Sequence, residues 1–294
     1  MTVTLPQLRA LAAVVDHGSF TAAAEKLGVS QSSVSHTLKS WEKAIGAPLL
    51  DRDRGNRPTR LASELLPHAR SALAALEALQ GSIDAGSGKV RGCVRLGAVA
   101  TACQGLVPGL MGLWKARLPE VEVSIFEGDD DELPDWLESG MVDAAILIDP
   151  ASTPPGSRVV AVDEMRAIVR RDHPLADEPS MPLDELLQDG LIAGQGGCEG
   201  QLRRIHALAG IPFETSQRVR ELATIMSMVQ EGIGVAIIPS LGEGMLPASL
   251  CMRPLVPTVE RTLVLSGPAS RPWNPLVGEL IAALPEQEPM RRTT

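Results

Sequence analysis

Residues 30–36 of this chain read Ser-Gln-Ser-Ser-Val-Ser-His, and Lys39 follows. Gln31, Ser32, Ser33, Ser35, His36 and Lys39 carry short hydrogen-bonding groups and a base. Presented on one face of a helix, such a set suits the donors and acceptors that base pairs expose in a DNA major groove. Serine is a mediocre helix former, so Ser30, Ser32, Ser33 and Ser35 are an unusual choice for an idle exposed helix. The competing reading is a helical hairpin whose polar face is merely solvated. A second group lies in DRDRGNRPTR, residues 51–60, where Arg52, Arg54, Arg57 and Arg60 outnumber Asp51 and Asp53. Clustered arginines suit phosphates or the minor groove; a solvated charged turn is the alternative.

Other chemistry finds less support. No carboxylates at strand ends are spaced as a general acid and base. The acidic run at 129–132 complements the N-terminus of a following helix. His17, His36, His68, His173 and His206 are scattered without ligand spacing, so no metal site is expected. The loop at 194–200, GQGGCEG, is glycine-rich but lacks both phosphate-cradling orders. Its glycines let backbone amides face a ligand. Cys93, Cys103, Cys198 and Cys251 have no paired metal spacing, and no disulfide framework is expected.

The elements that must hold these residues follow from apolar spacing. Thr4 opens a first helix with Pro6 near its start, an inner stripe of Leu5, Leu8, Leu11, Ala12 and Val15, and Gly18 at its end. Ser19 caps a second helix carrying Phe20, Ala23, Ala24 and Leu27, which Gly28 stops. Ser30 caps a third with the stripe Val34, Leu38, Trp41 and Ile45, leaving the polar set outside. Helix, tight turn and second helix make a helix-turn-helix. Gly55-Asn56 fits a two-residue hairpin, so the arginines behind the third helix read as a wing.

Residues 59–83 form the longest helical pattern, interrupted only by Pro67. Leu61, Leu65, Ala72, Leu76, Leu79 and Ile83 lie along one side, and no core partner stands nearby in sequence. That face is expected to meet the same helix of a second subunit. Gly81 and residues 86–88 break the pattern. Beyond them, strands at 90–98, 121–127 and 142–148 alternate with helices at 106–117 and 130–139. A second series runs from 159–170 through 191–193, a helix at 201–209, a strand near Val219, and a helix from Thr224 to Glu231. A buried strand at 232–239, residues 263–265 and a helix at 276–284 complete it. Two α/β series with a cleft between them fit a small-molecule sensor. Its ligand is expected beyond the strand ends at 99–104, 128–130 and Asp149. The hydroxyls and amides of Thr101, Gln104, Gln195 and Thr224, with few bases, suggest a small polar or anionic ligand.

The chain has 294 residues, about two domains' worth, with 44% hydrophobic and 21% charged residues, a soluble globular composition. No basic segment leads into an unbroken apolar run at the start, and no apolar run is long enough to span a bilayer, so a cytoplasmic protein is expected. The net charge of −9 is unevenly shared: residues 1–88 carry +1 and residues 89–294 carry −10. The serine-rich segment therefore sits in the part least hostile to DNA.

The chain resembles the LysR-type transcriptional regulators along nearly its whole length. The N-terminal residues that carry the likeness are Leu8, Gly18-Ser19-Phe20, Ala23-Ala24, Leu27, Ser30-Gln31-Ser32-Ser33-Val34-Ser35, Leu38, Glu42, Gly46, Leu49, Arg52 and Thr59. Downstream come Pro119, Gly140-Met-Val-Asp143, His173-Pro174-Leu175 and the run from Gly232 to Pro239. Trp41, Leu50, Pro58 and Ala62 depart from the pattern.

The resemblance implies a winged helix-turn-helix at 1–60, a linker helix at 61–88, and a two-lobed, periplasmic-binding-protein-like α/β effector domain at 89–294. Lobe I would cover about 89–160 and 267–294, and lobe II about 161–266. It implies a homodimer or homotetramer that binds promoter DNA, contacts RNA polymerase and responds to a small-molecule effector, with no cofactor and no catalysis. Gln31, Ser32, Ser33, Ser35, His36 and Lys39 would read DNA, with Arg52, Arg54 and Arg57 on the wing. Thr101, Ala102, Cys103, Glu127, Asp149, Gln195, Cys198 and Thr224 would line the effector cleft. Cys198 stands near the reactive cysteine of the family's peroxide-sensing branch, but Ala207 occupies the resolving position nine residues on. A thiol sensor is thus the alternative regulator, and a solute-binding protein or enzyme the alternative from another class.

Overall fold

The computed structural model describes residues 2–52, 54–86, 90–195, 198–285 and 290–291. The head comprises α1 (Leu5–His17), α2 (Phe20–Leu27), α3 (Gln31–Ile45) and a hairpin of β1 (Leu50–Asp51) and β2 (Arg57–Pro58). Side-chain caps start two of its helices: the Ser19 hydroxyl accepts from the Ala22 amide at 3.0 Å, and the Ser30 hydroxyl from the Ser33 amide at 3.2 Å. Gly28, at φ 65°, makes the turn between α2 and α3. Leu11, Val14, Ala23, Val34, Leu38, Trp41 and Leu49 form the buried centre. Leu5, expected inside, is exposed because it sits at the first position of α1, before the helix meets its neighbours. Trp41 buries its ring, while its indole N–H has no hydrogen-bond partner.

Next comes α4 (Arg60–Gly86), with Pro67 inside a continuous helix. The expected subunit-facing stripe is only partly free. Leu61 and Leu65 pack into the head's core, and Leu76 is half-buried. Ala72 is exposed, and Leu79 and Ile83 each leave 59% of their surface to solvent. The opposite face, Ala62, Leu66, Ala69, Ala74 and Ala78, is buried. So α4 does have partners within the chain; they lie far away in sequence, which is why spacing alone hid them. Of the expected break at 86–88, positions 87 and 88 lie outside the described residues.

The remainder contains β3 (Gly92–Ala98), α5 (Ala100–Gly105), α6 (Val107–Arg117), β4 (Val121–Glu127), α7 (Leu133–Ser139), β5 (Ala144–Ile148) and β6 (Arg158–Arg170). It continues through β7 (Met181–Pro182), α8 (Leu183–Leu186), β8 (Ile192–Gly194), α9 (Glu199–Ala209), β9 (Gln217–Val219) and α10 (Leu222–Gln230). Strands β10 (Ala236–Pro239), β11 (Leu250–Val256) and β12 (Glu260–Ser266) precede α11 (Pro275–Ala282). Sequence spacing missed α5 and β11, short elements whose apolar residues show no repeating period.

One lobe carries the strand order β4-β3-β5-β12-β6; β3 is parallel to β4 and β5, and β12 is antiparallel to β5 and β6. The other is built on the far half of β6, flanked by antiparallel β10 and β11, with the parallel pair β8–β9 beyond. Strand β6 is thus shared: Arg158–Glu164 pairs with β12, and Met165–Arg170 with β10 and β11. The expected boundary at about 161 and 266 is corrected accordingly. Ala161, Leu263 and Leu265 belong to the first lobe's core, whereas Met165 and Val259 belong to the second's. The chain crosses between lobes near 164 and again near 260, because β12 completes the first sheet.

At that crossing Arg261 lies opposite Asp163 in the ladder. Its Nε donates to Oδ1 and its Nη2 to Oδ2, both at 2.8 Å, with side chains only 2% and 1% exposed. Removing one partner of a buried pair strands the other charge, which typically costs roughly 3–5 kcal/mol. Urea denaturation of Asp163→Ala is expected to show a loss of that size, and Asp163→Leu combined with Arg261→Met to recover most of it. A loss below about 1 kcal/mol for Asp163→Ala would show that water reaches the crossing.

Candidate functional site

The head places its polar set where the sequence expects it. Gln31, Ser32, Ser33, His36 and Lys39 are exposed on α3, and Ser35 is half-buried. Ser30 is committed locally, capping the helix and meeting the Ser32 hydroxyl at 2.9 Å. The face is single because Val34, Leu38 and Trp41 all turn inward.

Behind it the wing is longer than expected. Asp51 pairs with Arg57, so five residues connect the strands, not the two of a Gly55-Asn56 turn; Gly55 and Asn56 adopt φ 72° and 62° at its end. Arg54 and Arg57 are exposed, and Arg54 pairs loosely with Asp51 at 3.7 Å. Arg52 has a further duty. Glu42 on α3 accepts from the Leu49 and Leu50 amides at 2.8 and 3.3 Å, and from Arg52 Nη2 at 3.1 Å. One carboxylate therefore locks the wing onto the reading helix. Glu42→Ala would leave two amides unsatisfied, a loss of about 1–3 kcal/mol if they stay dry. Hydrogen exchange at Leu49 and Leu50 should then speed by roughly ten- to a hundredfold while the α1 amides stay protected. Unchanged exchange at the two amides would refute the lock.

Between the lobes lies a cleft of about 460 Å³, within the range of small-molecule sites. Thr101, Glu127, Gln195 and Cys198 line it, as expected. Four expected residues lie elsewhere. Ala102 is fully buried in the first lobe's core, and the Cys103 thiol turns to the Ala98 carbonyl at 3.6 Å. Thr224 is exposed along α10, whose cap position falls at Glu221, three residues earlier. Asp149, at φ 44°, accepts from the Thr262 amide at 2.7 Å and from Gln201 Nε2 at 3.1 Å. It ties β5 of one lobe to α9 of the other instead of lining the cleft.

The expected stretches 99–104 and 128–130 also bring Val99, Ala100, Gly128, Asp129 and Asp130 to the lining, and the remainder was missed. Glu132 and Trp136 come from the β4–α7 segment, and Arg220, Glu221 and Leu222 from the start of α10. Ile225, Ile237 and Ile238 come from the second lobe, and Arg261 lies at the crossing. Across the mouth, Arg220 reaches Asp129 at 3.4 Å, both partly exposed. The thiols are not activated. Burial pushes Cys103 up to about 11, with Glu127 adding to it. Burial also pushes Cys198 up, although Arg261 Nη1 approaches its sulfur at 3.8 Å. Among the described residues no cluster of histidine, cysteine and carboxylate side chains could hold a metal ion, and no helix is long and apolar enough to cross a membrane.

The comparisons agree with this geometry. A sequence profile described as a bacterial regulatory helix-turn-helix protein of the lysR family matches residues 5–63, and one described as a LysR substrate binding domain matches residues 87–289. The chain is 30% identical to the HTH-type regulator YvbU of Bacillus subtilis, over 91% of this chain and 92% of that one. It is also 32% identical to a probable hydrogen peroxide-inducible genes activator of Mycobacterium leprae, over 80% and 78%. Among solved structures, a full-length OxyR variant from Pseudomonas aeruginosa has the same fold, with a TM-score of 0.68 at 24% identity, covering 98% of this chain and all of that one. Full-length CbnR in complex with its target DNA does so with a TM-score of 0.66 at 19% identity, over 96% and 98%. With both halves matched in order, the chain belongs to the LysR family of helix-turn-helix transcriptional regulators.

Proposed function

We propose that the head binds promoter DNA as part of a homo-oligomer, and that a small molecule held in the interlobe cleft controls that binding or its consequence for transcription. The observation that carries this reading is the joining, in one chain, of an exposed hydrogen-bonding α3 face to a cleft between two lobes. Gln31, Ser32, Ser33, Ser35, His36 and Lys39 address base edges, while Arg54 and Arg57 hold the backbone. Leu79 and Ile83 are the strongest candidates on α4 to meet a second copy.

A continuous set of contacts supports coupling between the halves. Arg95 on β3 forks onto buried Asp143 at 2.9 and 3.1 Å and reaches Glu77 on α4 at 3.0 Å. Arg70 on α4 pairs with Asp16 on α1. Gly140, at φ 76°, lets α7 sit so close to α4 that a Cβ there would lie 3.0 Å from the Arg70 carbonyl oxygen. A lobe that shifts on binding a ligand therefore pulls on the helix that carries the head.

A gel-shift assay with DNA from upstream of the protein's own gene tests the reading. Binding is expected to weaken as salt rises. Gln31→Ala should lose discrimination by about 1–3 kcal/mol at one base pair. Arg57→Ala should weaken cognate and random DNA alike and reduce the salt slope by about one. Equal losses on cognate and random DNA for Gln31→Ala would remove base reading from α3.

The thiol-sensor reading is favoured by one contact, Arg261 Nη1 against the Cys198 sulfur, together with the relatives named as peroxide-inducible activators. The effector reading expects Cys198→Ser to leave the response of DNA binding to peroxide unchanged. It also expects exposed Cys93 to be alkylated well before Cys103, Cys198 and the buried Cys251. Loss of a peroxide response in Cys198→Ser would instead establish the thiol sensor.

A further inference from the structure

The chemical class of the effector follows from charge accounting inside the cleft, an inference that rests on the effector-cleft reading above. Two arginines line the cavity, and each already has a carboxylate. Arg261 is forked onto Asp163, and Arg220 meets Asp129. The carboxylates outnumber them: Glu127, Asp129, Asp130, Glu132 and Glu221 all line the same space. Among the described residues, Glu127, Asp130 and Glu221 form no salt bridge. Glu221 stands at the N-cap position of α10 without a side-chain cap hydrogen bond, and adds its negative charge where the helix start would otherwise favour an anion. Burial, and then the neighbouring Asp131, pushes the half-buried Asp130 carboxyl up, with Arg261 pulling the other way.

A second feature of the wall points the same way. Trp136 lines the cavity beside these carboxylates. It is held there by backbone, since a Cβ at Gly128 would lie 2.3 Å from its ring. An indole next to unpaired carboxylates is the combination that receives organic cations, the ring face attracting the charge and the carboxylate neutralising it. The opposite wall is apolar, with Leu222, Ile225, Ile237 and Ile238.

We propose that the cleft binds an organic cation, an amine or guanidine with an apolar body, its charge between Asp130, Glu127 and Trp136 and its body against the isoleucines of the second lobe. This replaces the polar or anionic ligand that the neutral hydroxyls and amides suggested from sequence.

The test is a thermal-shift and calorimetric comparison on the full-length protein with four probes: phenethylamine, agmatine, 3-phenylpropionate and adipate. An amine at a hundredfold excess over its Kd should raise the melting temperature by roughly 5–10 °C. The carboxylates should not. Asp130→Asn should weaken the amine by at least about tenfold and Trp136→Leu by about threefold, with the melting temperatures of the ligand-free variants recorded as the folding control. Stabilisation by the carboxylates alone, lost on Thr101→Val or Trp136→Leu, would overturn the cationic class and leave the effector cleft standing. Amine binding that survives both Asp130→Asn and Trp136→Leu would place the ligand elsewhere and overturn the assignment of the cleft itself. No shift with any of the four probes would overturn the proposal.

Discussion

The buried fork between Arg261 and Asp163 is the interaction on which the two-lobed half depends. A guanidinium and a carboxylate with almost no exposure must face each other with good geometry, or neither is tolerable. They meet where β6 and β12 pass between the lobes, so their register fixes the relative placement of both sheets. The same arginine forms part of the cleft's lining. A residue of the cleft's lining thus also joins the lobes, and with Arg261 committed to Asp163 and Arg220 to Asp129, Glu127, Asp130 and Glu221 form no ion pair among the described residues.

The long helix α4 solves a different problem. It must join a reading head to a sensing body without becoming a loose tether. Its alanine-rich face allows close approach to its neighbours, and Gly81 packs against α11 with no room to spare: a Cβ there would lie 3.2 Å from Pro275. Ion pairs at Asp16–Arg70 and Glu77–Arg95 hold the helix before that contact. These partly exposed pairs add little stability by themselves. Their value is positional, since they define one arrangement of head, helix and lobe.

Division of labour within the head follows the same logic. Glu42 spends its carboxylate on the wing, and Arg52 is drawn into that lock. Arg54 and Arg57 therefore remain the freer of the wing cations, while the α3 face carries mainly hydroxyl and amide groups, with Lys39 as its cation. Neutral groups discriminate between base edges; cations attract every phosphate equally.

How much of this was legible in sequence differs between the halves for a physical reason. In the head, caps, turns and apolar stripes are local. Ser19, Gly28 and Ser30 act on residues within a few positions, so the helix-turn-helix and the identity of its outward face could be read directly. The alternation of strands and helices, and hence an α/β body, was also local information. What surrounds the cleft was not. Asp149 and Thr224 stood at a plausible strand end and helix start, yet one became a tie between lobes and the other faces solvent. Trp136 and Arg220 became cleft walls only because β4 and β9 deliver their following loops to the same gap, where Asp130, already expected at a strand end, joins them. Leu61 and Leu65 look like a subunit stripe until α1 packs over them. The sequence by itself determined the reading head, because its elements are stabilised by neighbours in the chain. Tertiary structure alone decided which charges line the cleft, because burial and pairing between residues such as Asp163 and Arg261 depend on where distant strands cross.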